Sequence, residues 1–514
     1  MTAPVFIDLP VAARPAPARS GLLARRVPIG WLFGLLASWL ALDTLLLSQF
    51  LGFGQPWLTL AGLALSAWLI VATVRASGRA EGPSVATLLV CVAIAAVVLV
   101  LGGEGRFFYA NPDWRLRDAL LADMARHPWP FAYATPDGIE VLRAPIGMYL
   151  IPSLGGKLWG QAGGDLLLLI QNAILDGVLL ALGSTLFATR RAKLVALGCF
   201  LAFSGLDIVG QLMGGHAALL TPTVHLEAWG STQYSSTITL FFWVPQHAFA
   251  GWCGALAVLL WRTGAVRASV PLLLFPLLLL WSPLAGLGLL PFMLWIGIES
   301  LIRRQITFAD IGAVLGALLL SLPTLLYLKS GGDAVGARIF PLNPIAYLLF
   351  ELLEVLPFLL GAAAVAKGRF GAMLFAITAV SLLLIPFVQI GWSIDFAMRA
   401  SIPALAILPV LIAEALACTD LSALRRRVLI GCLAFGSFTG LAEIARAVSF
   451  PVSPAPHCPL TNQWRRYADF TMASSSYLAR VRALPAPMRP ARPAIIAMAS
   501  ACRDLEWRLP ALFH

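Results

Sequence analysis

The sequence predicts an all-α polytopic membrane protein of about thirteen transmembrane helices, with interfacial helices in one large external loop. Three observations lead there. The chain is 59% hydrophobic and only 12% charged, whereas soluble domains carry roughly a quarter charged residues. Apolar runs of membrane-spanning length recur along most of it. In lipid, only helices and closed barrels satisfy their own backbone groups. The runs are long and continuous rather than ten-residue and alternating, which excludes a barrel.

Taken in order, residues 1–30 are Pro/Ala-rich with Arg14, Arg19, Arg25 and Arg26, and read as a disordered cytoplasmic tail. The apolar run that follows is too long for a signal-peptide core and has no clear cleavage site, so it reads as an uncleaved first span. Spans are expected at 31–50, 57–74 and 85–103. Arg75 and Arg79 place the turn between the second and third inside. A polar excursion, 104–165, follows. Within it Leu116, Leu120 and Met124 recur every four residues beside Leu121 and Ala125, which predicts an amphipathic helix lying along the membrane surface. Asn111-Pro112 is its start signal and His127-Pro128-Trp129-Pro130 its stop. Segment 144–160 is apolar but broken by Pro145, Pro152 and Gly155-Gly156. It is short for a span, and reads as interfacial or partly re-entrant.

Further spans are expected near 166–188, 194–210, 246–261, 269–282, 284–298, 306–328, 343–365, 370–390, 396–418 and 428–446. On this map eighteen Lys and Arg residues fall in inside segments and nine in outside loops, the bias that the positive-inside rule requires. The transmembrane domain is then 31–446. Residues 447–514 form a small external tail, too short for an independent core. There Cys458 and Cys502 can pair or remain free thiols. The other five cysteines lie in apolar spans and read as small core residues. No internal repeat appears, which argues against a transporter built from inverted halves.

The net charge of +11 sits mostly in short loops, where it sets orientation and does not indicate nucleic acid. No Walker-type phosphate loop is present, so an ATP-driven pump is not expected. No Cys or His spacing predicts a metal site.

The outer face holds the groups able to do chemistry. Residues 113–123 carry three carboxylates and two arginines, directly beyond a span. Asp113 can take a proton from an acceptor group, or simply cap the helix and pair with Arg117. Asp118 reads as a second candidate or as an ordinary surface partner of Arg115, and Asp123 as solvated. Asp207, in apolar company near the outer end of a span, is expected to be paired or functional. His216, His225 and Glu227 match no metal spacing and read as surface groups. Gln246 and His247 follow the proline break at Pro245 and either face a polar cavity or start a helix. Arg399 is the cation best suited to phosphate, because guanidinium binds phosphate oxygens in bidentate fashion. Asp395, four residues before it, is an alternative partner. Lys329 and Arg338 flank a Gly-rich outer loop and suit the same anion. Inside the spans, Glu351 and Glu354 share a helical face and could relay protons in a transporter.

This layout resembles the GT-C superfamily of integral-membrane glycosyltransferases. The resemblance rests on 109–124 followed by Arg143-Ala144-Pro145-Ile146-Gly147-Met148-Tyr149-Leu150, on the Pro245-Gln246-His247 entrance, and on Met398-Arg399-Ala400-Ser401-Ile402-Pro403. It implies a bacterial inner-membrane enzyme, N-terminus cytoplasmic and C-terminus periplasmic. Such an enzyme moves a sugar from a polyprenyl-phosphate donor to a glycan, lipid or protein acceptor by inverting displacement. Asp113 or Asp118 would serve as base, and Arg399, with Lys329 or Arg338, would neutralise the leaving phosphate. Some members use a divalent metal, and nothing in this sequence requires one. The chain departs from the pattern in two ways: the acidic loop follows the third span rather than the first, and Trp114 stands where an adjacent acid is common. The alternatives are a transporter or flippase using the intramembrane carboxylates, and a polymerase or ligase of lipid-linked glycans.

Overall fold

A computed structural model describes residues 21–78, 80–215, 224–330, 332, 335–391, 393–418, 421–465, 471, 474–499, 502 and 504. Most of the 1–30 tail, together with Arg79, His216 and Asp333, lies outside these residues.

The fold is mainly helical. The helices are α1 (Ile29–Phe50), α2 (Pro56–Ala76), α3 (Val85–Leu101), α4 (Trp114–Arg126), α5 (Gly147–Gly183), α6 (Arg190–Leu201), α7 (Asp207–Met213), α8 (Thr237–Trp243), α9 (Pro245–Arg262), α10 (Ser269–Leu278), α11 (Pro283–Ile302), α12 (Phe308–Lys329), α13 (Pro344–Glu354), α14 (Leu356–Ala362), α15 (Ala372–Leu384), α16 (Asp395–Ala400), α17 (Ile402–Ala417) and α18 (Ala423–Ser449). Among the described residues, six helices are long and apolar enough to cross a membrane: α1, α2, α5, α11, α12 and α18. The bent pair of α13 with Leu356–Val365 makes a seventh. Others expected as spans are shorter or interrupted. The 194–210 run stops at Leu201 and restarts as α7. The 343–365 run bends by 49° between Glu354 and Leu356, where Pro357 lacks the N–H that would continue the ladder.

Helix α5 is two limbs rather than one rod. Its backbone leaves the helical region at Trp159 and Gly160, with Gly160 at φ 73, a conformation that favours glycine. The chain reverses there. Met148 consequently meets its own second limb, its carbonyl accepting from Gln171 Nε2 at 2.9 Å. The limbs touch where Gly156 faces Gly164; a Cβ built on Gly164 would stand 3.3 Å from the Gly156 Cα. Small residues allow this close approach.

The two ends of the helical bundle differ chemically. At one end Arg267 N–H reaches the Ala76 carbonyl, Arg262 Nε donates to the Phe370 carbonyl, and Arg369 donates to the Leu186 carbonyl and pairs with Glu414. The opposite end carries the polar excursion. There β1 (Phe131–Thr135) and β2 (Gly138–Leu142) form a hairpin. The tail supplies β5 (Leu478–Arg480) beside β2 and β6 (Ala494–Ala497) parallel to β1, giving the order β5-β2-β1-β6. A separate ribbon pairs β3 (Ala337–Ile339) with β4 (Val388–Ile390).

The external loop and the C-terminal tail, expected as separate segments, contribute to one sheet, the tail's β5 and β6 flanking the 131–142 hairpin. Cys458 and Cys502 are disulfide-bonded across 44 residues, clamping the tail. Cys458→Ser is expected to lower stability by about 2–4 kcal/mol, read as a fall in melting temperature under non-reducing conditions.

Candidate active site on the loop-bearing end

A proline organises this end. Pro245 has no N–H to give, so the helix breaks at Val244, and the Phe242 carbonyl lies at the frayed end of α8. It accepts instead from Asn111 Nδ2 at 2.6 Å and Trp114 Nε1 at 2.7 Å. Two side chains of the polar excursion are thus pinned to the head of α9. Asn111 Oδ1 also accepts from the Asp113 N–H. Asp113 and Arg117 are in this way fixed near the head of α9, with Arg117 in electrostatic reach of His247.

Asp113 starts α4 but does not cap it with its side chain. Its carboxylate, 42% exposed, pairs at 3.2 Å with Arg117, whose side chain is only 2% exposed. Arg117 lies over the Trp114 ring at 5.7 Å. Its Nε and Nη1 are buried and have no hydrogen-bond partner among the described residues, which is a costly arrangement for a cation. His247 donates to or accepts from Ser282 Oγ at 2.8 Å through Nδ1. It stands within electrostatic reach of both Arg399 and Arg117. Arg399, on α16, pairs with Asp395 on the preceding turn. Gln246, beside His247, has its Oε1 buried without a partner. Asp113, Arg117, Gln246, His247 and Arg399, drawn from three distant segments, are thus gathered at one end of the molecule.

The tail adds a residue that sequence reasoning missed. Tyr477 lies among Arg117, Asp113, Arg399 and Asp395, and burial raises its hydroxyl above the usual phenol range. It is held because its carbonyl accepts from the Arg143 and Ala144 N–H groups and its ring packs on Trp464. Tyr149, at the head of α5, also lies within reach of Arg117 and Tyr477. Nothing in the tail sequence signals Tyr477. Its position depends on strand pairing across more than three hundred residues.

Other expected residues fall elsewhere. Asp118 pairs not with Arg115 but with Arg106, at 3.1 Å, and the same guanidinium holds Asp165 at 2.6 Å. Burial pushes the Asp118 carboxyl up to about 7 against the pull of Arg106. Asp207 is remote from Asp113. Ser204 and Thr439 hydroxyls bond its carboxylate, and Glu354 lies against it. His225 is not an open surface histidine: its side chain is only 9% exposed and lies 2.9 Å from Glu443, which also takes Arg446. Lys329 is exposed at the end of α12 and Arg338 is exposed on β3, tied to Gln389; neither is brought into contact with Arg399. Among the described residues no group of three or more His, Cys, Asp or Glu could hold a metal ion.

Helix α4 does not lie on a surface. Its polar face is buried too, between α5 and the tail. Asp123, expected to be solvated, is 1% exposed. It accepts from the Tyr133 hydroxyl and the Leu460 N–H, and so ties helix, sheet and tail together. Burial raises its carboxyl from 3.8 to about 6. A raised folded-state value stabilises the fold at low pH, and that contribution is lost as pH rises through about 6. The junction is therefore expected to loosen between pH 4 and 8 by roughly 3 kcal/mol at most. Asp123→Asn should flatten that dependence, as measured by hydrogen exchange over residues 455–465.

Comparison with protein families, curated proteins and solved structures finds no match to this chain.

Proposed function

We propose that this protein is an integral-membrane glycosyltransferase of the GT-C kind. It moves a sugar from a lipid-phosphate donor to a glycan, lipid or protein acceptor on the periplasmic face of a bacterial inner membrane. One observation carries the reading: Arg117 is buried with two guanidinium nitrogens, Nε and Nη1, unpartnered among the described residues, in a site shared with Arg399, His247 and the part-exposed Asp113. A pair of guanidinium groups beside an accessible carboxylate suits a reaction in which an anion leaves as a proton is taken up. In that reaction the acceptor oxygen bonds to the anomeric carbon and the bond from that carbon to phosphate oxygen breaks. The acceptor proton passes to Asp113, and the negative charge comes to rest on the lipid phosphate, opposite Arg399 and Arg117. The thirteen-crossing topology, N-terminus inside and C-terminus outside, belongs to the same proposal and takes α3, α6, α9, α10, α15 and α17 as further crossings.

The test is release of labelled sugar from a synthetic polyprenyl-phosphate donor by the purified protein in vesicles. Tyr477→Phe removes a hydroxyl set among two cations and two carboxylates. It should lower kcat/KM about ten-fold or more, the scale of one hydrogen bond to a charged group, with the melting temperature little changed.

A second reading, a transporter or flippase, is favoured by Glu351, which is buried with neither carboxylate oxygen partnered among the described residues. No sugar transfer by the wild type, with full function in Asp113→Asn and Arg399→Ala and loss of function in Glu351→Gln, would decide for it.

A further inference from the structure

A cavity of about 390 Å³ opens at the end of the bundle opposite the candidate site, between α3, α5, α6, α9 and α17. Its volume lies within the range of small-molecule sites, roughly 300–1,000 Å³. The walls are almost wholly apolar, with Leu180, Leu197, Trp252 and Leu256 among them, and Val90 and Leu194 stand exposed at its rim. Arg190 and Lys193, at the start of α6, line the same cavity. Among the described residues neither has an acidic partner, whereas Arg267, Arg303 and Arg369 at this end of the bundle are each paired with a carboxylate. Asp176, buried with one oxygen unpartnered, also lines the cavity and is a polar stop within it.

We infer that this cavity binds one chain of an anionic phospholipid, with the headgroup phosphate on Arg190 and Lys193. The two parts of the site ask for the two parts of such a molecule. An apolar slot bounded by helices gains nothing from water, and an acyl chain fills it by dispersion and area burial. Two unpaired cations at its mouth match a phosphate at the membrane surface, where each Lys or Arg strengthens lipid binding by about a factor of five. The site is separate from the Asp113 cluster, and the inference does not depend on the chemistry proposed there.

Native mass spectrometry of the detergent-purified chain, with phosphatidylglycerol or phosphatidylcholine of matched chain length added, tests this. Wild type is expected to retain phosphatidylglycerol roughly 30-fold better, from two such cations. The double variant Arg190→Gln/Lys193→Gln should lose that preference while still taking either lipid weakly. Val90→Trp, at the exposed rim, should reduce retention of both lipids without changing the melting temperature. Equal retention of the two lipids by wild type, or an undiminished preference in the double variant, would overturn the inference. So would unchanged lipid retention in a folded Val90→Trp protein.

Discussion

Asp113→Asn is expected to abolish sugar transfer, lowering turnover by roughly 10²–10⁴-fold, the usual contribution of a positioned general base. The geometry makes this substitution informative. Asn is isosteric and keeps an oxygen for Arg117 Nη2, now 3.2 Å from the carboxylate. The helix start does not depend on the side chain, which makes no cap bond, and the anchor at Asn111 and Trp114 is untouched. Folding should therefore survive, with a melting temperature within a few degrees of wild type, while the group able to accept a proton is gone. A fully active Asp113→Asn protein would remove Asp113 from the chemistry.

Arg399→Ala is expected to lower kcat by roughly 10²–10³-fold, the scale on which one preorganised donor to a developing anion contributes. Arg399→Lys should fall between, because it restores charge without the planar fork. The ion pair to Asp395 complicates a simple reading, since that partner is left behind. Its carboxylate is 31% exposed and can return to water, so the structural cost should be small. Asp395→Ala separates the two roles: it frees the guanidinium and should retain most activity. If both changes reduced activity equally, Arg399 would be acting through α16 rather than on the phosphate.

The parts of this molecule that were legible in the sequence share a reason. Asp113 and Arg399 stand out because charge is scarce in this chain, and the proline at 245 marks a break whose consequences are local. Periodicity placed α4 between its start and stop signals. Periodicity reports one face of a helix, however, and cannot say whether a second element covers the other. Asp123 accordingly reads as solvated and Asp118 as a second candidate or a surface partner of Arg115, although the tail buries the first and Arg106 takes the second. Asp207 stood out as a carboxylate in apolar company that needs a partner, but which side chains supply it, Ser204 and Thr439, is set by packing between helices far apart in sequence. Tyr477 was invisible because hydropathy treats a polar tail as featureless. Its role arises from a register between strands far apart in sequence. The helices are shorter or more broken than the expected spans at the glycine before α7 and at Pro357, since composition averages over a break that the backbone cannot ignore.

The mixed sheet has a temporal meaning. Strands β1 and β2 leave the ribosome more than three hundred residues ahead of Tyr477, β5 and β6. Closing contacts over so long a separation is slow, and domains assemble progressively during synthesis. Arg117 must therefore wait until the segment bearing Tyr477 arrives. The order of synthesis delays completion of the polar cluster until every helix beneath it is in place, and a chain stopped short of Tyr477 would contain its charges but not their arrangement.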